Sequence, residues 1–148
     1  SVSSSSILSV SANPTSMVDS PPPLFDGDTV NGVSWSWAPS FPAPNGFPQF
    51  FTYANYTVNF ATTVNITSIE LFPRTTSFSG NSGWLACPNV KVNGTSLSKP
   101  TSYSSSTTSV SISGVTSVTV ELTGGYGYTA SGVFQYLLEL TEMKFYGT

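Results

Sequence analysis

Two carboxylates stand beside two indoles in LFDGDTVNGVSWSW, residues 24–37, in a chain where only 7% of residues are charged. Asp26 and Asp28 flank Gly27 and are followed by Thr29, a run of short oxygen-bearing side chains. Such a run suits three uses. It can be a loop that offers oxygen ligands to a hard cation. It can be the rim of a site for a polar ligand. It can be a turn, with Asp bonded to its own backbone and Gly supplying positive φ before a strand. Trp35 and Trp37 lie two apart, so in a strand they share a face. These residues alone leave the three uses open.

The other residues with chemistry to offer are aromatic. Trp35, Trp37, Phe41, Phe47, Phe50, Phe51 and Tyr53 crowd one segment. An exposed ring offers a flat apolar surface to one face of a sugar, and a phenol or indole edge can hydrogen-bond. Trp35 and Trp37 serve equally well as core anchors. Phe41, Phe47, Trp84, Tyr103, Tyr126 and Tyr128 are the candidates for facing a ligand. Tyr126 and Tyr128 fall in GGYGYTASG, where glycines permit close approach. The same composition also fits a hairpin tip with solvent-facing tyrosines.

Several functions are excluded by composition. The chain has no histidine, which removes Ser-His-Asp and Cys-His catalysis and His-ligated zinc. Glycoside hydrolysis needs two opposed carboxylates; Asp26, Asp28, Glu121, Glu139 and Glu142 could supply them, but no pattern selects a pair. No glycine-rich phosphate loop occurs. The sequence therefore reads as non-catalytic. Arg74, Lys91, Lys99 and Lys144 are the whole cationic supply, dispersed in a chain of net charge −3. A nucleic-acid surface needs clustered cations to displace counterions, so none is expected. Cys87 is the single cysteine, which rules out an internal disulfide; within WLACPNV it reads as a small buried hydrophobe. No apolar run approaches the roughly 18 residues of a membrane span, so no membrane insertion is expected. SVSSSSILSVS lacks the basic start and apolar core of a signal peptide. Sequons at Asn55, Asn65 and Asn93 are no more than chance supplies in a chain rich in Ser, Thr and Asn.

The elements that must position these residues are strands. The length of 148 residues suits one domain, and 39% hydrophobic and 14% aromatic content suffices for a core. Alternation of period two runs through TSVSISGVTSVTVEL, with Val110 and Ile112 on one face and then Val118, Val120 and Leu122. Ser113-Gly114 predicts a break between them. Tyr56, Val58 and Phe60 alternate, then Ile66, Ile69 and Leu71, with Ala61–Asn65 as the connection. The change of phase after Ile66 predicts a bulge. Asn93-Gly94 predicts a tight hairpin, because both residues tolerate positive φ. YLLELTEMKFYG predicts a strand covered on both faces near one end. SPPP and FPAPNGFPQFF predict long ordered loops, since Pro cannot donate to a ladder. The reading is an all-β, antiparallel β-sandwich of roughly eight strands with long loops at one end. Residues 1–14 form an N-terminal arm or first strand, and 15–148 a single sandwich domain.

LFDGD, Trp35 or Trp37, YTVNFATTVNITSIELFPR and the closing LLELTEMKFYG follow in an order that resembles the discoidin, or coagulation factor 5/8 type C, domain. That group shares a galactose-binding-like jelly roll with many carbohydrate-binding modules. The resemblance implies a structural Ca²⁺ held by Asp26, Asp28 and Thr29, with Glu142 at the matching position on the last strand. It also implies that Arg74 contacts sugar hydroxyls, as a guanidinium fork suits vicinal oxygens; pairing with Glu70 is the structural alternative for it. The terminal disulfide of many animal members is absent here, and so are most of the basic and histidine rim residues of sugar-binding members.

The expected function is a non-catalytic carbohydrate-binding or adhesion module, extracellular or on a virion surface, gripping a glycan or host-surface polysaccharide through loop aromatics. The alternative is a capsid-decoration or fibre protein of a virus or phage, partnered by a capsid or tail protein or by its own copies, with no small ligand.

Overall fold

A computed structural model of the chain describes residues 7–12, 23–25, 27, 29, 33–37, 52–73, 89–101, 104–123, 126–130 and 133–148; for 12, 23, 33–37, 52–54, 126–130 and 133–139 it describes the backbone. Eight strands run through these residues: β1 (Ile7–Ala12), β2 (Val33–Trp37), β3 (Thr52–Pro73), β4 (Asn89–Val92), β5 (Thr95–Ser96), β6 (Ser106–Thr123), β7 (Tyr126–Ala130) and β8 (Val133–Gly147). Every pairing is antiparallel. The order is β2-β8-β3-β6-β4-β5, with β1 also on β3 and β7 also on β8. The β4–β5 turn is the hairpin that Asn93-Gly94 predicts: φ is 50° at Asn93 and 83° at Gly94, the positive pair that such a turn requires.

Two strands are longer than the alternation suggests. β3 continues through Ala61–Asn65 and β6 through Ser113-Gly114, where breaks were expected. Irregular pairing, rather than a loop, absorbs the mismatch. Between Asn59 and Val64, β3 advances five positions while its partner moves two, from Ser117 to Val115. The surplus sits in residues 61–63, which are exposed. Gly114 takes a φ of 64°, and its N–H donates to Asn65 Oδ1 at 2.9 Å. The bulge predicted after Ile66 is present, because pairing to both β6 and β8 shifts between Ile66 and Ser68. The buried face accordingly changes from Tyr56, Val58, Phe60, Val64 and Ile66 to Ile69 and Leu71.

These irregularities let the β3–β6 ribbon fold over. Phe145 pairs with Ile69, and Phe60 lies nine positions before Ile69 on the same strand. A straight strand would separate them by roughly 30 Å. The Phe60 and Phe145 rings instead meet edge to face at 5.6 Å. The first half of β3 therefore packs over the sheet that its second half builds with β8, which makes a β-sandwich. The core between the layers contains Val118, Val120 and Leu122 of β6, Val90 and Val92 of β4, and Leu140, Met143 and Phe145 of β8.

The fold-over gives the sandwich two unlike ends. At the bend, the chain's last residue is latched to β3: Thr148 N–H donates to Asn65 O at 2.9 Å and Asn65 N–H to Thr148 O at 3.1 Å. At the other end lie Thr52 paired with Thr123, Asn89 also with Thr123, Leu71 with Ser106, and Pro73 with Leu140. The long Pro- and Gly-containing segments leave the described strands from this second end.

Candidate functional site

The loop after Phe25 is held against β8 from two sides. Leu24 and Phe25 are buried, and Phe25 stacks on Phe145 at 5.9 Å with the rings 4° from parallel. This anchors Gly27, whose φ of 85° suits glycine. Gly27 N–H donates to Glu142 Oε2 at 2.8 Å. Two positions on, the Thr141 hydroxyl lies 2.9 Å from Thr29 O and 3.0 Å from Phe72 O. Thr141 is free to reach both carbonyls because β8 bulges there: Phe72 pairs with Glu142 and Pro73 with Leu140. Residues 140–143 are all buried, as expected for a strand covered on both faces. Glu142 is 1% exposed.

Of the expected cation ligands, Thr29 meets β8 at Thr141 and Glu142 meets the loop at Gly27. Asp26 and Asp28 lie outside the described residues, but their neighbours Phe25, Gly27 and Thr29 are fixed here. Among the described residues no three carboxylate, histidine or cysteine side chains gather. The donor set suits a hard cation: a buried carboxylate and backbone carbonyls are oxygen ligands of the kind Ca²⁺ takes.

The aromatic candidates are gathered by strand register. Trp35 pairs with Leu137, which pairs in turn with Tyr126. Trp37 pairs with Gln135, which pairs with Tyr128. Directly opposed residues share a face, so two adjacent cross-strand rows collect two tryptophans and two tyrosines around Leu137 and Gln135. Spacing alone shows that Trp35 matches Trp37 and Tyr126 matches Tyr128; only the register of β2, β8 and β7 joins the two pairs. Leu137 and Gln135 were missed because nothing in the sequence marks the middle of such a row. Phe41, Phe47, Arg74, Trp84 and Tyr103 lie outside the described residues. Arg74 directly follows Pro73 at the loop end, and Phe41 and Phe47 follow β2.

A third group was not foreseen. Glu70 pairs with Lys144 on one side and Thr107 on the other, and Ser68 pairs with Tyr146 and Ser109. Tyr146 donates its hydroxyl to Glu70 Oε1 at 2.6 Å, and Ser105 donates to Glu70 Oε2. Lys144 Nζ sits 5.1 Å from the centre of the Phe72 ring, within cation–π range. The hydrogen bond to Glu70, then desolvation and then the carboxylate's charge push the Tyr146 phenol up to about 12. The sequence carried a signal in the alternation of IELFP and MKFYG, but not their relative register.

No family model matches the sequence, and no curated protein matches it. Among solved structures, the chain is similar to CBM62 from Clostridium thermocellum Xyl5A, with 20% identity over 95% of this chain and 94% of that one and a TM-score of 0.47. It is also similar to the CBM32-1 and CBM32-2 domains from Clostridium perfringens ZmpB, with 14% identity over 98% of this chain and 35% of that one and a TM-score of 0.40.

Proposed function

We propose that the chain is a non-catalytic carbohydrate-binding module that takes glycan at the loop end of the sandwich. The observation that carries this reading is the double row Trp35–Leu137–Tyr126 and Trp37–Gln135–Tyr128. Flat rings beside an amide supply apolar contact for a sugar face and hydrogen bonds for its hydroxyls. Phe41, Phe47, Arg74, Trp84 and Tyr103 belong to segments that leave the described strands around this end, and they are proposed as further contacts. An extracellular setting, with a host-surface polysaccharide as partner, follows from the same reading. The test is binding by the double variant Tyr126→Ala/Tyr128→Ala. It is expected to lose affinity for a glycan the native chain retains, with the thermal melt nearly unchanged. Undiminished binding at the loop end contradicts the assignment.

The loop of Asp26, Asp28 and Thr29 with Glu142 is proposed to take a structural Ca²⁺. Support comes from the buried Glu142 carboxylate being drawn to Gly27 and from the neighbouring Thr29 carbonyl. The cation would neutralise the cluster and fasten the loop to the closing strand; it would take no part in catalysis.

A further inference from the structure

We propose a second glycan subsite on the outward face of β6, β3 and β8, built by Glu70, Tyr146, Lys144, Ser105 and Phe72. It rests on the carbohydrate-binding reading and adds a place for the ligand away from the loop-end aromatics. Lys144 and Leu137 are seven positions apart on β8, roughly 20 Å in a strand, so the two places are distinct.

The face is outward by register. Leu71 and Met143 are paired and buried, so Glu70, Phe72 and Lys144, one position away, lie on the opposite side. On β6 the matching Thr107 and Ser109 are exposed, whereas Thr108 and Val110 are half-buried. Three strands thus present Ser109–Ser68–Tyr146 and Thr107–Glu70–Lys144 as neighbouring rows, with Ser105 and Phe72 beside them.

The chemistry of this block suits a neutral sugar. The Glu70 carboxylate has about four acceptor positions. Tyr146 and Ser105 use one on each oxygen, and the remaining capacity matches a pair of vicinal hydroxyls. Lys144 pairs with Glu70 in the register and its ammonium is held over the Phe72 ring, which keeps its donors on this face. The half-exposed Tyr146 ring is fixed through its hydroxyl, so little side-chain freedom is lost when a sugar face settles on it. Glu70 and Lys144 cancel in charge, which favours a neutral ligand over an ion. Exposed polar pairs of this kind add little to stability. Yet this chain, with four cationic and seven acidic residues in all, places one of each side by side here.

The test titrates the isotope-labelled full chain with galactose and with gluco-, xylo- and manno-oligosaccharides and follows backbone amide shifts. At least one sugar is expected to move the amides of Glu70, Ser105, Lys144 and Tyr146. Those shifts are expected to persist in Tyr126→Ala/Tyr128→Ala. Glu70→Gln and Tyr146→Ala should each weaken them about tenfold or more in affinity, or about 1.4 kcal/mol. Shifts confined to β7 and the start of β8, and lost in the double variant, would overturn the second subsite and leave the loop-end reading standing. No shift with any of these sugars would overturn both.

Discussion

Glu142 and Glu70 show how differently two carboxylates can be used on neighbouring strands. Glu142 is buried and draws in the Gly27 amide, which ties Gly27 to β8. If this loop holds Ca²⁺, the metal binds the folded chain and stabilises it by mass action. A chelator is then expected to lower the melting temperature, and added Ca²⁺ to restore it; an unchanged melt removes the metal from the account. Glu70 is half-exposed and serves as the acceptor for Tyr146. Because the Tyr146 pKa is raised from 10.0 to about 12, the protonated phenol is favoured by folding. Its contribution is complete below pH 10 and is lost as the pH rises from there through about 12. Ultraviolet titration should show one tyrosine ionising late, and Glu70→Gln should bring it back toward the ordinary range.

At the scale of elements, the bend and the chain's end support each other. A Cβ on Gly147 would lie 1.8 Å from Asn65 O, a backbone atom that cannot step aside. Gly147→Ala is therefore expected to break the latch between β8 and β3 and to cost about 1–3 kcal/mol, the usual range for overpacking. Gly94→Ala meets nothing within 4 Å and bears only the strain of its positive φ, about 1 kcal/mol. Equilibrium denaturation of both variants checks the order; equal losses would contradict it. The same elements show what was legible in the sequence. The alternation of Val118, Val120 and Leu122 and the Asn93-Gly94 turn are local, and they read correctly. The phase slip after Ile66 was visible because a strand's period is two and a bulge shifts it by one. The continuity of β3 and β6 was not visible, because three surplus residues look the same in a sequence whether they form a loop or a bulge. The candidate site was half legible for a related reason. The residue types of the aromatic rows stand out, but the pairing of Trp35 with Tyr126 across Leu137 depends on the register of strands distant in sequence. The Glu70–Tyr146 contact depends on it too.

For the whole molecule, low charge is the governing fact. A composition rich in Ser, Thr and Asn with eleven ionisable charges, seven acidic and four basic, offers little long-range attraction to a polyanion. It presents hydroxyls and amides, and sugars are recognised by hydrogen bonds and ring contacts rather than by ions. The sandwich sets its aromatic rows at the end from which the long segments leave, and at the other end Thr148 is bonded to Asn65. A subunit used only to build an assembly would bury apolar patches in contacts with its partners instead. The most direct measurement is a glycan-array screen of the purified chain displayed multivalently, since single sites of this kind gain greatly from avidity. The account predicts selective retention on a group of neutral glycans sharing one terminal or repeating sugar. A silent array, at a display density that reveals weak binders, would contradict carbohydrate recognition and leave the sandwich as a building block.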